Sequence, residues 1–208
     1  WNTNGAYDYF RGRSEANEDA YHTRGILFIR SKYVILNDYL TPRTPGNHSY
    51  RQLWHMRPDA NLYIDPENKA FRSNFSDVNV QVVPVGGETY DNILIKDGYY
   101  RGTGDSSQEA KYGSYEKSGS GNVSFETVIV PVNTNQDIEV ETRKIIIPGI
   151  VDEGAASLSV SITDNANVSD SLTATYYALN DLDQIKTVQV GDYSFDGTMF
   201  YVEKNSDG

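Results

Sequence analysis

The sequence predicts an all-β protein: a large antiparallel β-sandwich, supersandwich-like, with little helix. Three observations carry this expectation. Apolar and polar residues alternate with a period of two rather than 3.6. Short runs rich in β-branched and aromatic residues recur roughly every 10 to 15 residues. Turn-forming clusters separate them: Pro45-Gly46-Asn47, Gly86-Gly87, Lys96-Asp97-Gly98, Ser118 to Gly121, Asp164 to Asn167 and Asp196-Gly197.

The elements follow in order. Glu15 to Tyr21 reads as one or two helical turns with Ser14 as cap. Gly25 to Arg30 and Lys32 to Asp38 read as a hairpin of two buried strands, split at Arg30-Ser31. Tyr50 to Met56 alternates, with Tyr50, Gln52, Trp54 and Met56 on one face. Val78, Val80 and Val82 alternate with Asn79 and Gln81. Asp105 to Tyr115 reads as a short helix capped by Asp105 or Ser106 and stopped by Gly113. Val123 to Val130 is a strand ended by Pro131 and Asn133. Ile138 to Ile147, Leu158 to Ile162, Leu172 to Ala178, Thr187 to Val190 and Thr198 to Val202 complete the series. The polar stretch Asn133 to Asp137 marks a seam. Residues 1–134 form the main sandwich region. Residues 135–208 add strands, either within the same extended sandwich or as a small second sheet layer.

Composition narrows the function. The 208 residues fit one large all-β domain or two small ones, and are enough to bury a core. There is no cysteine, which excludes a disulfide framework, a thiolate metal site and a cysteine nucleophile. A formal net charge of −11 argues against nucleic-acid binding. It also argues against an anionic-polymer clamp, unless basic residues gather locally. No apolar run approaches the roughly 20 residues of a helical membrane span. The chain opens on Trp1 rather than Met, which reads as a processed or excised piece. Abundant Tyr, polar loops and absent Cys point to a secreted or cell-surface bacterial protein.

Several clusters bear on chemistry. His22 and Arg24, two residues apart, share one face of an extended chain. Such a pair either holds a carboxylate or is a hydrogen-bonded pair at a strand start. His48 and His55, seven apart, fall on opposite faces of a strand, and no His-x-His spacing exists, so no metal site is evident. Trp54 with Tyr50 is either a core aromatic stack or a sugar-stacking platform. Arg11, Arg13, Arg24, Arg30, Arg51 and Arg57 place most of the arginine in the first 60 residues of an acidic chain. Guanidinium groups beside aromatic faces suit an acidic sugar; scattered arginines at sheet edges are the alternative. Asp105, Glu109, Asp164, Asn167 and Asp170 offer loop oxygens, without the spacing of a calcium loop. Asn47, Asn74, Asn122 and Asn167 stand in glycosylation sequons. No nucleophile elbow, phosphate loop or dinucleotide fingerprint is present.

Three segments together resemble the β-sandwich of heparinase II/III-like polysaccharide lyases. The first, His22 to Leu40, reads His-x-Arg, strand, tight turn, strand and Asp38. The second runs from His48-Ser49-Tyr50 through Leu53-Trp54-His55 to Ala60. The third is Phe125 to Pro131, with Gly191 to Met199 similar to the C-terminal strands. The resemblance implies the carboxy-terminal sandwich of a secreted lyase that acts by β-elimination on an acidic, uronate-containing glycan. It places the catalytic groups on a preceding helical toroid domain and on strands upstream of this segment, together with a zinc site. No catalytic residue, metal ligand or cofactor is therefore expected here. Arg24, Arg51 and His55 are the candidates for substrate contact. The expected partners are an acidic polysaccharide and the helical toroid domain, not nucleic acid or membrane. The alternative is a non-catalytic carbohydrate-binding or structural surface module.

Overall fold

The computed structural model describes residues 2–101, 107–145, 157–166, 172–179, 187–190 and 192–205. Every element among them is a strand. In chain order these are β1 (Asn2–Thr3), β2 (Tyr7–Ser14), β3 (Ala20–Ile29), β4 (Tyr33–Pro42), β5 (His48–His55), β6 (Tyr63–Ile64), β7 (Phe71–Arg72), β8 (Val78–Pro84) and β9 (Asn92–Arg101). There follow β10 (Ser107–Gly119), β11 (Val123–Asn133), β12 (Ile138–Lys144), β13 (Ser157–Asp164), β14 (Leu172–Leu179), β15 (Val188–Val190), β16 (Tyr193–Phe195) and β17 (Met199–Asn205).

The strands pair antiparallel throughout. An eight-stranded sheet runs β1-β2-β3-β4-β11-β8-β7-β6, a three-stranded sheet β5-β10-β9, a four-stranded sheet β12-β13-β14-β17, and β15 pairs β16. The eight-stranded sheet is the middle layer. Alternation along each strand sends successive side chains to opposite faces. On one face Leu27, Ile35, Val83 and Val128 meet Val140, Leu158 and Val160 of the four-stranded sheet in one core. On the other face Ala20, Phe71, Val82 and Phe125 meet Tyr50 and Tyr115 of the three-stranded sheet in a second. Residues on both sides of the 133–137 seam thus contribute to a shared core.

The β3–β4 hairpin forms as expected, turning through Ser31 at φ 61°. The face of β5 carrying Tyr50, Gln52 and Trp54 points inward, with Arg51, Leu53 and His55 outward. Other expectations are corrected. Residues 15–19 are irregular: the Asn17 side chain accepts the Asp19 N–H at 2.8 Å, and β3 begins at Ala20. Short polar side chains bonding the backbone locally compete with a helix. Residues 107–115 lie in β10 rather than in a helix, because β10 pairs along its length with β9 on one side and with β5 on the other. Lys96-Asp97-Gly98 runs straight through β9 instead of turning, with Asp97 paired to Lys111 across the ladder. Pro131 does not end β11. It sits beyond the last β4 pair, Ile129↔Val34, where the strand has a partner on the β8 side only and proline is tolerated. The arginine-rich segment Asp8 to Arg13 is strand β2, with Tyr9 in the core.

Candidate functional site

The hairpin register builds the site. β3 holds His22 and Arg24 on one face, and β4 sets Asp38 directly opposite Arg24. The Arg24 guanidinium donates from Nε to Asp38 Oδ1 at 2.6 Å and from Nη2 to Oδ2 at 2.8 Å. His22 Nε2 lies 2.7 Å from Oδ1. Gln52 Nε2 on β5 donates to Oδ2 at 2.9 Å, and Trp54 Nε1 donates in turn to Gln52 Oε1 at 3.2 Å. Asp38 is 3% exposed. Burial alone would raise its pKa; hydrogen bonds from His22, Arg24 and Gln52, with the charge of Arg24, outweigh that and hold it at about 2. Of the two readings of this pair, the structure shows the hydrogen-bonded pair near a strand start, and the carboxylate it holds is the protein's own Asp38.

Around this pair lies a groove of about 650 Å³ between the eight-stranded sheet and the edge strand β5. His22, Arg24 and Arg51 line it with Asn17 and Gln52. Arg24 keeps 45% of its side chain exposed while it grips Asp38, and Arg51, on the outward side of β5 and directly across the ladder from Glu116, borders the groove. The groove thus carries the Arg24 guanidinium and the His22 imidazole, both on one buried carboxylate, with Arg51 at its border across from Glu116. Guanidinium groups so placed can pair with carboxylate or sulfate.

The candidates separate accordingly. Arg24 and Arg51 share the groove, whereas His55 does not line it. His55 is exposed on the outer face of the three-stranded sheet, its ring stacked on Tyr112 at 5.0 Å and 22°. Trp54 is half-buried against the second core, with its N–H satisfied internally. That weakens it as a sugar platform. Among the described residues the exposed aromatics are Phe10, Phe28, Tyr63, Tyr100 and, at 70%, Tyr99; Trp1 lies outside them. Asp38 and Gln52 were missed from sequence. Arg24 and Asp38 each stand seven residues from Ser31, so a hairpin centred there pairs them.

The zinc site implied by the resemblance is not met by these residues. His48 Nε2 bonds the Thr44 carbonyl at 2.9 Å, His55 stacks on Tyr112 and His22 bonds Asp38, so the three imidazoles stand in three places. Among the described residues no cluster of three or more His, Asp or Glu side chains could hold a metal ion. Of the loop oxygens, Asp105, Asn167 and Asp170 lie outside the described residues, and Asp164 Oδ1 accepts the Asp137 and Ala166 N–H groups.

No protein-family profile matches the chain. No curated protein matches it in sequence. Solved structures do match in fold. The heparan sulfate lyase HepC from Pedobacter heparinus aligns with TM-score 0.64 at 19% identity, over 80% of this chain and 26% of that one. A heparinase III gene product aligns with TM-score 0.62 at 17% identity, over 86% of this chain and 27% of that one. A further heparinase III structure aligns with TM-score 0.59 at 14% identity, over 79% of this chain and 25% of that one. At these identities the likeness establishes the fold. The chain spans about a quarter of the length of the lyases it matches.

Proposed function

We propose that this chain is the carboxy-terminal β-sandwich portion of an exported polysaccharide lyase of the heparinase II/III-like type. The reading rests on one observation: most of the chain superposes on about a quarter of each of three proteins named as heparan sulfate lyase or heparinase III. The parent reaction is β-elimination. A base removes the proton α to a uronate carboxylate, a donor or cation neutralises that carboxylate, and an acid protonates the leaving oxygen. None of those roles is assigned to a residue of this chain, and the zinc of the resemblance belongs with the upstream strands.

The contribution of the sandwich is support and glycan contact. Asp38 orients Arg24, and Arg51 stands on β5 at the groove's border, so this side offers guanidinium groups to carboxylate or sulfate groups of an acidic polysaccharide. The rest of the parent, including a helical toroid domain, packs on the part of the middle sheet that the three-stranded sheet leaves open. There Phe10 and Phe28 are 42% and 43% exposed, with Ile26 and Val34 half-buried on the same face. An apolar strip of that kind marks a contact surface.

A second reading, a carbohydrate-binding module, draws on the exposed Tyr99 and the His55–Tyr112 stack. The test is retention of the 208-residue chain on immobilised heparan sulfate at low ionic strength. Retention is expected to fall as salt rises. Arg51→Ala, at an exposed position, is expected to weaken it roughly two- to five-fold without changing the melting temperature. If the protein flows through at low salt, or Arg51→Ala is retained equally, the groove is not a glycan contact. Loss of retention on Tyr99→Ala instead would favour the module.

A further inference from the structure

The three sheets meet at a buried polar junction that the groove does not use. Glu126 on β11 is fully buried, and neither of its carboxyl oxygens has a hydrogen-bond partner among ordinary donors. Asn37 on β4 stands directly across the ladder, with its own Nδ2 unbonded, and Arg11 on β2 lies on the same cross-strand row. Glu88, in the connection between β8 and β9, is 2% exposed in its side chain. It accepts from Lys117 Nζ of β10 at 2.6 Å, from Lys144 Nζ of β12 at 3.0 Å and from the Tyr90 hydroxyl at 2.9 Å. Lys117 also donates to the Ser124 carbonyl at 2.7 Å. Lys144 reaches Glu126 Oε1 only at 3.4 Å.

The hydrogen-bond donors are thus gathered on Glu88, and Glu126 shares only the Lys144 ammonium with it, at 3.4 Å and outside hydrogen-bond geometry. A buried carboxylate without donors is costly, whereas a carboxyl group that donates its own proton to the adjacent carboxylate is satisfied. Burial first, then the charge of Glu88, raises the Glu126 pKa to about 8, while the two lysines hold Glu88 low. The backbone makes the same connection. Gly86 N–H donates to Thr142 Oγ1 at 2.9 Å, Thr142 Oγ1 donates to the Pro84 carbonyl at 2.9 Å, and Lys144 N–H donates to the Gly86 carbonyl at 3.0 Å.

We propose that Glu126 and Glu88 share one proton, and that this proton is the catch of a clasp joining the middle sheet to β10 and β12. With the proton in place, Glu126 donates to Glu88, and Lys117 and Lys144 draw β10 and β12 onto a single anion. Removing it sets two carboxylates against each other in a dry junction and loosens β12. Glu88 and Tyr90 line a cavity of about 970 Å³ beside the junction, which gives base a route to the proton. The clasp is a pH-sensitive element, separate from the glycan groove and independent of the proposed lyase reading.

The sign follows from linkage. Folding takes up a proton at Glu126 wherever the native group is protonated and the unfolded one is not. The clasp is therefore at full strength at and below the unfolded carboxylate value, weakens as pH rises from there to the native value, and levels off above it. The test compares unfolding of the wild-type chain and Glu126→Gln between about pH 6 and pH 9. The amide donates to Glu88 at every pH. The wild-type folding constant is expected to fall with a slope approaching tenfold per pH unit relative to the variant. Titrations of other groups cancel in the comparison. Parallel profiles overturn the proposal. Infrared spectroscopy of the wild-type chain serves if the variant does not fold. A protonated-carboxyl band at neutral pH that disappears above about pH 9 supports the shared proton, and its absence at neutral pH overturns it.

Discussion

Asp38 shows how much one residue organises. It joins β3, β4 and β5 through His22, Arg24 and Gln52, and orients the guanidinium that faces the groove. Breaking a buried ion pair from one side costs roughly 3–5 kcal/mol. Arg24 is 45% exposed, which screens the loss, so Asp38→Asn is expected to destabilise by about 2 kcal/mol in urea. The acid profile separates this from mere repacking. The native pKa of Asp38 lies below its unfolded value. Its stabilisation is therefore complete above the ordinary carboxylate range and disappears as pH falls through about 2. Asp38→Asn should lose less stability than wild type over that acid interval; an equal loss would mean Asp38 is not the anchor. The His22/Arg24 half of this cluster was legible because a period of two fixes their common face. The Asp38 half required the turn to be centred on Ser31. The Glu126 junction required long-range pairing that no local pattern records.

At the scale of elements, strands with a buried alternating face were read directly: β3, β4, β5, β8 and β11 all follow their apolar phase. The two failures at β9 and β10 share a cause. β10 and β9 carry mixed, exposed residues at their outer ends, so their strand character comes from pairing with each other rather than from propensity. Gly113, expected to stop a helix, instead lies within β10 because a side chain there would meet the Phe71 ring at 2.6 Å. Phe71 is fully buried and cannot swing aside. Gly113→Ala is therefore expected to cost about 1–3 kcal/mol through overpacking. Phe71→Leu in the same chain should relieve part of that cost. A double variant whose losses simply add in thermal melts would show that the two positions are not in conflict.

The whole molecule is a middle sheet covered on both faces, one of them incompletely. Where the cover ends, β5 presents an edge, the Arg24–Arg51 groove opens, and the Phe10–Phe28 strip begins. The all-β class was legible from composition and period. The three-layer stacking was not, because layer order depends on which face of the middle sheet each later strand covers.

We propose that the chain supports a lyase and does not itself supply the chemistry. The most direct measurement follows the ultraviolet absorbance of an unsaturated uronate formed from heparan sulfate. It compares the pure 208-residue chain with the polypeptide that carries this sequence in its native cells. No rise is expected with the chain alone and a rise with the native polypeptide, because the proposed reading puts the acid and base of the elimination outside these strands. Elimination by the chain alone, or none by either across uronate glycans, would contradict it.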